Sequence, residues 1–363
     1  MNIIISALLL MLTGVGYSGW RLATLAPLPP LWRWIIGLGW GLIFIVVVLS
    51  FILRTQIPVA VTRIFYPLEM SWIVYLLYLV MIFLAIDLLR LIPLLRPWLQ
   101  PSWPLAGGVL CVLIVIFSWG SYTYHRKVRV PLDIQVEKPL EKPLKIIGIS
   151  DLHLGYTIGR DELEGWVERI NAEKPDLVLI AGDIVDGDVR PVVEDRLAEV
   201  LNRIEAPIYA SLGNHEYLGG EAYRRQFLSQ TKIQLLCDSV ATFGDAVYII
   251  GRDDETNQGR KSLQQLTAGL DPSKPILVLD HQPHHLEQAE LAGVDFQLSG
   301  HTHRGQVFPL NLLVDRMYER SHGYHRRGKT QYYVSSGIGI WGGKYRIGTQ
   351  SEYVVIHLSG RAD

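Results

Sequence analysis

Five short segments of this 363-residue chain carry side chains able to hold metal ions, and each directly follows an apolar run. They are Asp151-Leu152-His153 after KIIGIS, Gly182-Asp183 after DLVLIA, Gly213-Asn214-His215-Glu216 after IYASL, Asp280-His281 after ILVL, and Gly300-His301-Thr302-His303 after VDFQLS. Each places a carboxylate, amide or imidazole where a strand stops and side chains reach open space. Oxygen and imidazole donors without thiolates suit Mn, Fe, Zn or Co in a working site rather than a structural zinc. Two such cations about 3.5–4 Å apart repel, so a shared carboxylate and a shared hydroxide must sit between them. On extended backbone, D-x-H and H-x-H would turn both side chains to one face, because strand side chains repeat every second residue. Glycines beside the donors let the backbone turn sharply. Singly the motifs are weak: a Gly-Asp is commonly a turn, and a His-x-His a surface or core pair. Together, each at a strand end, they point to a dinuclear metal centre.

In this order the segments resemble the calcineurin-like metallophosphoesterases, whose pattern is D-x-H, G-D, G-N-H-D/E, H, then G-H-x-H. The resemblance runs from Val128 to Leu358 and looks closest to the branch that carries membrane helices ahead of the phosphoesterase domain. It implies a four-layer αββα sandwich and two divalent or trivalent ions. Asp151, His153 and His303 would hold the first ion, and Asn214, His281 and His301 the second, with Asp183 bridging. His215 matches the family's catalytic histidine, which meets the scissile phosphate and assists the leaving group, and Glu216 would orient it. Arg304 is a departure, since the membrane branch often has glycine there; that leaves substrate preference open. The implied reaction is in-line attack on phosphorus by a metal-activated water, with His215 as general acid.

Other elements must position these groups. Candidate strands are Lys145–Ser150, Asp176–Ala181, Ile208–Leu212, Val247–Gly251, Ile276–Leu279, Phe296–Leu298, Tyr332–Ser335 and Tyr353–Leu358, with Val128–Val136 as a further extended run. Leu163, Trp166, Val167 and Ile170 recur at helical spacing, and Asp161 can cap that helix. Strand–helix alternation argues for α/β layers with chemistry at the strands' carboxyl ends.

Ahead of this lies a different composition. Residues 1–130 hold nine basic and two acidic side chains, leaving 25 basic and 33 acidic ones after them. A helix crossing about 30 Å of hydrocarbon needs about 20 mostly apolar residues. Four stretches qualify: Asn2–Trp20, Trp34–Leu53, Ser71–Leu95 and Trp98–Tyr124. The first lacks a basic n-region and reads as a retained helix rather than a signal. The expected organisation is an all-α bundle of about four transmembrane helices over 1–124, a linker with the first strand over 125–144, and the metallophosphoesterase domain over 145–363. Residues 125–144 read as a tether holding the domain near the bilayer. Five basic residues on the catalytic domain's side against four on the other lean that domain toward the cytoplasm. This describes a multi-pass protein of the cell membrane.

Asp87 lies inside a span, with Arg90 three residues on to neutralise it. His284 and His285 can line the entrance near His281. Residues 316–329 form a basic loop able to meet lipid headgroups or a substrate phosphate. Arg252-Asp253-Asp254 reads as turn chemistry. Cys111 and Cys237 fall in different phases and are not expected to pair. The bilayer and a phosphate ester or pyrophosphate, including a lipid-linked one such as UDP-diacylglucosamine, are the expected partners. Protein partners are unspecified. A nuclease is the alternative, disfavoured by the acidic domain; a non-catalytic sensor or scaffold is the other.

Overall fold

The computed structural model describes residues 2–361, and the side chains at 2–4, 7, 221, 222, 224 and 225 lie outside the description. The chain divides into two compact units, Met1–Gly120 and Ser121–Asp363.

Four long helices make up the first part of the chain: α1 (Asn2–Thr24), α2 (Pro30–Leu53), α3 (Val59–Leu89) and α4 (Trp103–His125). Pro30 occupies the first turn of α2, where a missing N–H is harmless. Among the described residues, three helices are long and apolar enough to cross a membrane: Pro30–Leu53, Val59–Leu89 and Trp103–His125. The stretch Asn2–Trp20 is helical within α1, although several of its first side chains lie outside the described residues. Leu42, Ile45, Leu49 and Ile52 of α2 point outward. An apolar exterior of this kind suits lipid rather than water. Inside, Trp72 lies against Trp40 and Phe44 with ring centroids 5.4 and 5.7 Å apart. The third helix starts at Val59, well before the Ser71 expected from hydropathy, and accommodates Pro67.

Asp87 is held by more than Arg90. Arg21 of α1 reaches it at 3.0 Å, Arg90 at 3.1 Å, and the Tyr17 hydroxyl donates to it at 2.6 Å. Arg90 also donates to the Leu99 carbonyl. The carboxylate is thus the hub of a charged clamp joining α1, α3 and the segment before α4.

Among its described residues the second unit contains twelve strands: β1 (Lys127–Pro139), β2 (Leu144–Ile149), β3 (Leu177–Ala181), β4 (Ile208–Ser211), β5 (Gln234–Leu235), β6 (Ser239–Phe243), β7 (Val247–Gly251), β8 (Ile276–Leu279), β9 (Phe296–Ser299), β10 (Gly323–Arg327), β11 (Thr330–Val334) and β12 (Ser351–Arg361). They form two six-stranded sheets, β1-β12-β2-β3-β4-β5 and β10-β11-β9-β8-β7-β6. Alternation along each strand builds the layers. Ile146, Leu177 and Leu179 meet Ile249, Leu277 and Leu298 between the sheets. Their neighbours Ile147, Val178 and Ile180 face Leu163, Trp166 and Ile170 on the outer side. Ile250 and Val278 of the second sheet face Leu263, Leu266 and Leu286. The result is the expected αββα sandwich.

The strand expected within residues 125–144 forms: β1 occupies Lys127–Pro139, covering Val128–Val136, and pairs in parallel with β12. Pro131 is tolerated because β1 is an edge strand, where a missing donor breaks no ladder. The helix α5 (Arg160–Ala172) begins at Gly159, so Asp161 sits in its first turn and acts on the helix dipole rather than as the cap. The basic segment 316–329 is no loop: it contains β10, and ion pairs tie it down. Arg327 meets Glu290 and Glu319, His322 meets the buried Glu352, and Lys329 meets Glu137. Cys111 and Cys237 are not disulfide-bonded to each other.

Candidate metal centre

All five donor segments leave the carboxyl ends of β2, β3, β4, β8 and β9. The backbone there is not extended. Asp151, His153, Asp183, His301 and His303 all have φ between 46° and 69°. This left-handed conformation is uncommon for residues other than glycine and concentrates at functional sites. The turns hold one another: Asp151 N donates to the Gly182 carbonyl and His153 N to that of Asp183. His301 N donates to the Asp151 carboxylate, and His215 N to Asp183 Oδ1.

Three groups of donors result among the described residues, each with donor atoms within 4.8 Å of one another, the third joining His153, Asp186 and His215. The first joins Asp151, His153 and His303, with the two Nε2 atoms 3.1 Å apart. The second joins Asp183, His281 and His301. Asn214 belongs with it, its Oδ1 lying 3.2 Å from His281 Nε2 and 2.8 Å from His301 Nδ1. Asp183 stands between the clusters: its Oδ2 is 3.1 Å from His281 Nε2 and 3.7 Å from His153 Nε2. Ligands about 2.1 Å from one ion and at right angles to each other lie about 3 Å apart. Separations of this order are close to what a cation at either cluster would require.

Burial and neighbouring charge act differently on the donors. Burial, aided by Arg346, holds His303 well below the usual histidine range. Burial and the neighbouring His281 push His301 down to about 4. Both shifts favour the neutral ring, whose lone pair can meet a cation. Burial raises Asp151. Burial opposes charge on His281, yet Asp183 outweighs it and drives this imidazole well above its ordinary value. His281 Nδ1 faces the Ala181 carbonyl at 2.8 Å, which fixes the ring and frees Nε2 for the cluster.

His215 sits beside the first cluster, its ring 4.6 Å from that of His153. Asp186 was not anticipated. Its Oδ1 lies 3.1 Å from His215 Nδ1 and 3.4 Å from His153 Nδ1, so one buried carboxylate faces both rings. Burial works against charge on His215, but Asp186 and Asp183 raise its pKa nonetheless. The role expected of Glu216 is corrected accordingly. Its carboxylate accepts N–H bonds from Gly213, Asp183, Ile184 and Val185 at 2.7–3.0 Å. Glu216 shapes the Asp183 turn, and Asp186 is the carboxylate that faces His215 Nδ1.

Arg346 was also unforeseen. Fully buried, it donates to the carbonyls of His303, Ser336 and Gly339, fastening the segment beneath the cluster. The Arg252-Asp253-Asp254 run does more than turn the chain. Arg252 and Arg260 each reach Asp280 at 3.1 Å, so the residue before His281 is paired away from the donors. Of the histidines expected at the entrance, His285 is exposed against Glu287. His284 stacks 4.8 Å from Tyr318, whose ring lies 6.5 Å from that of His301. Arg304 has a φ of 47°, a conformation glycine adopts freely, and pairs with Asp315 at 3.6 Å.

Gly213 shows how tightly the centre is built. A Cβ added there would lie 2.2 Å from Asp183 Oδ1. Gly213→Ala is therefore expected to displace Asp183 and reduce the metal retained after purification by at least half, measured by elemental analysis on protein of unchanged circular dichroism.

Residues 144–305 match the calcineurin-like phosphoesterase family. The chain is 33% identical over 261 residues to an uncharacterized metallophosphoesterase of Campylobacter jejuni, an alignment spanning 69% of each protein. It is 32% identical over 270 residues to a transmembrane protein with metallophosphoesterase domain from Danio rerio, spanning 68% of this chain and 61% of that one. A solved dimetal phosphatase from Danio rerio aligns with 53% of this chain and 87% of its own at 16% identity, with a TM-score of 0.37. The chain belongs to the calcineurin-like phosphoesterase family, a family of metal-dependent hydrolases, and its apolar helices accord with membrane association.

Proposed function

We propose that this protein is a membrane-anchored phosphoesterase that binds two cations and hydrolyses a phosphate ester or pyrophosphate bond. The observation that carries the reading is the position of Asp183, within 3.7 Å of a donor nitrogen in each cluster. Asp151, His153 and His303 would hold one ion, and Asn214, His281 and His301 the other, with Asp183 shared. Bound cations supply positive charge for the phosphoryl oxygens and lower the pKa of water toward neutrality.

The chain's own residues do the rest. Buried donors on a fixed backbone present the site without reorganisation, which is where such electrostatic stabilisation is most effective. Asp186 engages His215 through Nδ1 and leaves Nε2 to meet the phosphoryl group or carry a proton to the leaving oxygen. The apolar helices place this centre on a protein of the membrane. That favours a lipid-linked substrate, of which a nucleotide-lipid pyrophosphate such as UDP-diacylglucosamine is one, and the five-to-four balance of basic residues puts the catalytic domain on the cytoplasmic side.

The full chain in detergent should be assayed against lipid-linked pyrophosphates and soluble phosphodiesters with Mn²⁺, Zn²⁺ and Fe²⁺, alongside elemental analysis. We expect about two ions per chain and metal-dependent turnover, faster on the lipid-linked series. Pure protein with no bound transition metal and no metal-dependent cleavage of any substrate would refute the reading.

A further inference from the structure

We propose that the helix Leu310–Met317 docks on an anionic phospholipid surface beside the donor clusters. Its apolar stripe is turned the wrong way for a core helix. Leu310, Leu313 and Met317 fall at i, i+3 and i+7, yet are 39%, 56% and 71% exposed, and Leu312 beside them is 52% exposed. No residue of this helix is buried. Such a stripe ordinarily faces a core. A contiguous exposed apolar patch instead marks a binding surface.

The helix is locked to the site. Gly305, two residues after His303, lies so close to it that a Cβ there would fall 2.5 Å from Asn311 N. From the other end, the Thr302 hydroxyl donates to the Ser321 carbonyl, and the Ser321 hydroxyl donates to Asp315. Whatever binds the exposed stripe therefore sits next to the turn carrying His301 and His303.

Charge selects the occupant. Residues 304–329 hold six basic and two acidic side chains, although the chain beyond residue 130 carries eight more acids than bases. Asp315 is engaged by Arg304, Glu319 by Arg327 and His325, and Arg327 and Lys329 also meet Glu290 and Glu137, so the cations left over are Arg316, Arg320 and Arg326. The excess is positive, with Arg316 exposed in the helix's last turn. Apolar residues flanked by arginine are what an anionic lipid interface accepts. Topology agrees. β1 starts at Lys127 beside Ser351 and runs parallel to β12, which is antiparallel to β2. The chain therefore enters the catalytic unit at the sheet end from which Asp151 emerges. The docking rests on the proposed function only for its consequence, that substrate is drawn from the lipid interface.

The test uses the full chain, with Cys111→Ser and Cys237→Ser, in nanodiscs of phosphatidylcholine with or without phosphatidylglycerol. A spin label at Leu313→Cys, or separately at Met317→Cys, is probed with oxygen and a nickel chelate. In anionic discs both labels should lie about 5–10 Å below the phosphates, and shallower without phosphatidylglycerol, while a label at Glu199→Cys stays in water. Water-like accessibility at both positions, or equal depth in the two lipids, overturns the proposal. So does shielding from both probes with dipolar broadening, which would make the face a contact between copies. Metal content read on the same samples keeps failure of the docking distinct from failure of the metal centre.

Discussion

Asp183→Ala should abolish hydrolysis and leave the purified protein short of metal in both clusters. This carboxylate lies between the two clusters, its Oδ2 3.1 Å from His281 Nε2 and 3.7 Å from His153 Nε2. Its other oxygen accepts the His215 N–H, so one side chain also fixes the turn that presents Asn214 and His215. Removing it takes away the shared negative charge that lets two cations stand about 4 Å apart. A single preorganised electrostatic group contributes about 10²–10³ in turnover. Losing a shared one should exceed the upper end of that range on a chromogenic phosphodiester. Asp183→Asn keeps the shape and should retain part of the metal with little activity. An alanine variant that binds metal as the wild type does would remove Asp183 from between the ions. Gly213→Ala reaches the same carboxylate from its other side, so the two variants should share a metal-poor phenotype while differing in residual activity.

Much of this arrangement is legible in the sequence because buried strands are short continuous apolar runs. Ile276–Leu279 and Val247–Gly251 stand out for that reason. The donor segments are legible because they follow such runs directly. β5, β6 and β10 are not, and their positions explain why. They lie at or near sheet edges, with exposed or half-buried residues, and β5 is two residues long. The roles of Glu216, Asp186 and Arg346 depend on backbone brought together over long distances. Glu216 reaches four amides spread over two turns, and Arg346 reaches a carbonyl 43 residues away. Asp186 did leave a trace, standing three residues after Asp183 in GDIVD, but an acid at that spacing is commonplace without the His215 geometry beside it. The left-handed backbone at the donors was invisible because none of them is glycine. Convergence could be read from residue type, whereas the turn geometry that produces it could not.

His215→Ala, in contrast to Asp183→Ala, should lower kcat by about 10²–10⁴ while leaving metal content near that of the wild type. His215 shares a third donor group with His153 and Asp186 and lies outside the Asp151–His153–His303 and Asp183–His281–His301 clusters, its ring 4.6 Å from that of His153. Its Nδ1 faces Asp186, and the neighbouring carboxylates favour its protonated form. That is the form able to give a proton to a departing alkoxide. The loss should therefore be largest for substrates with poor leaving groups and should shrink for nitrophenyl esters, which leave without a proton. Asp186→Asn tests the same chain of contacts one step back. It keeps the size of the side chain but removes the charge facing His215 Nδ1 and His153 Nδ1. Groups that orient a metal-bound histidine contribute about 10–100-fold, so this variant should fall between wild type and His215→Ala in turnover. Because Asp186 also steadies His153, it should weaken metal retention modestly where His215→Ala does not. A His215→Ala variant as poor in metal as Asp183→Ala would make His215 a ligand. One with unchanged dependence on leaving-group pKa would deny it the proton-transfer role.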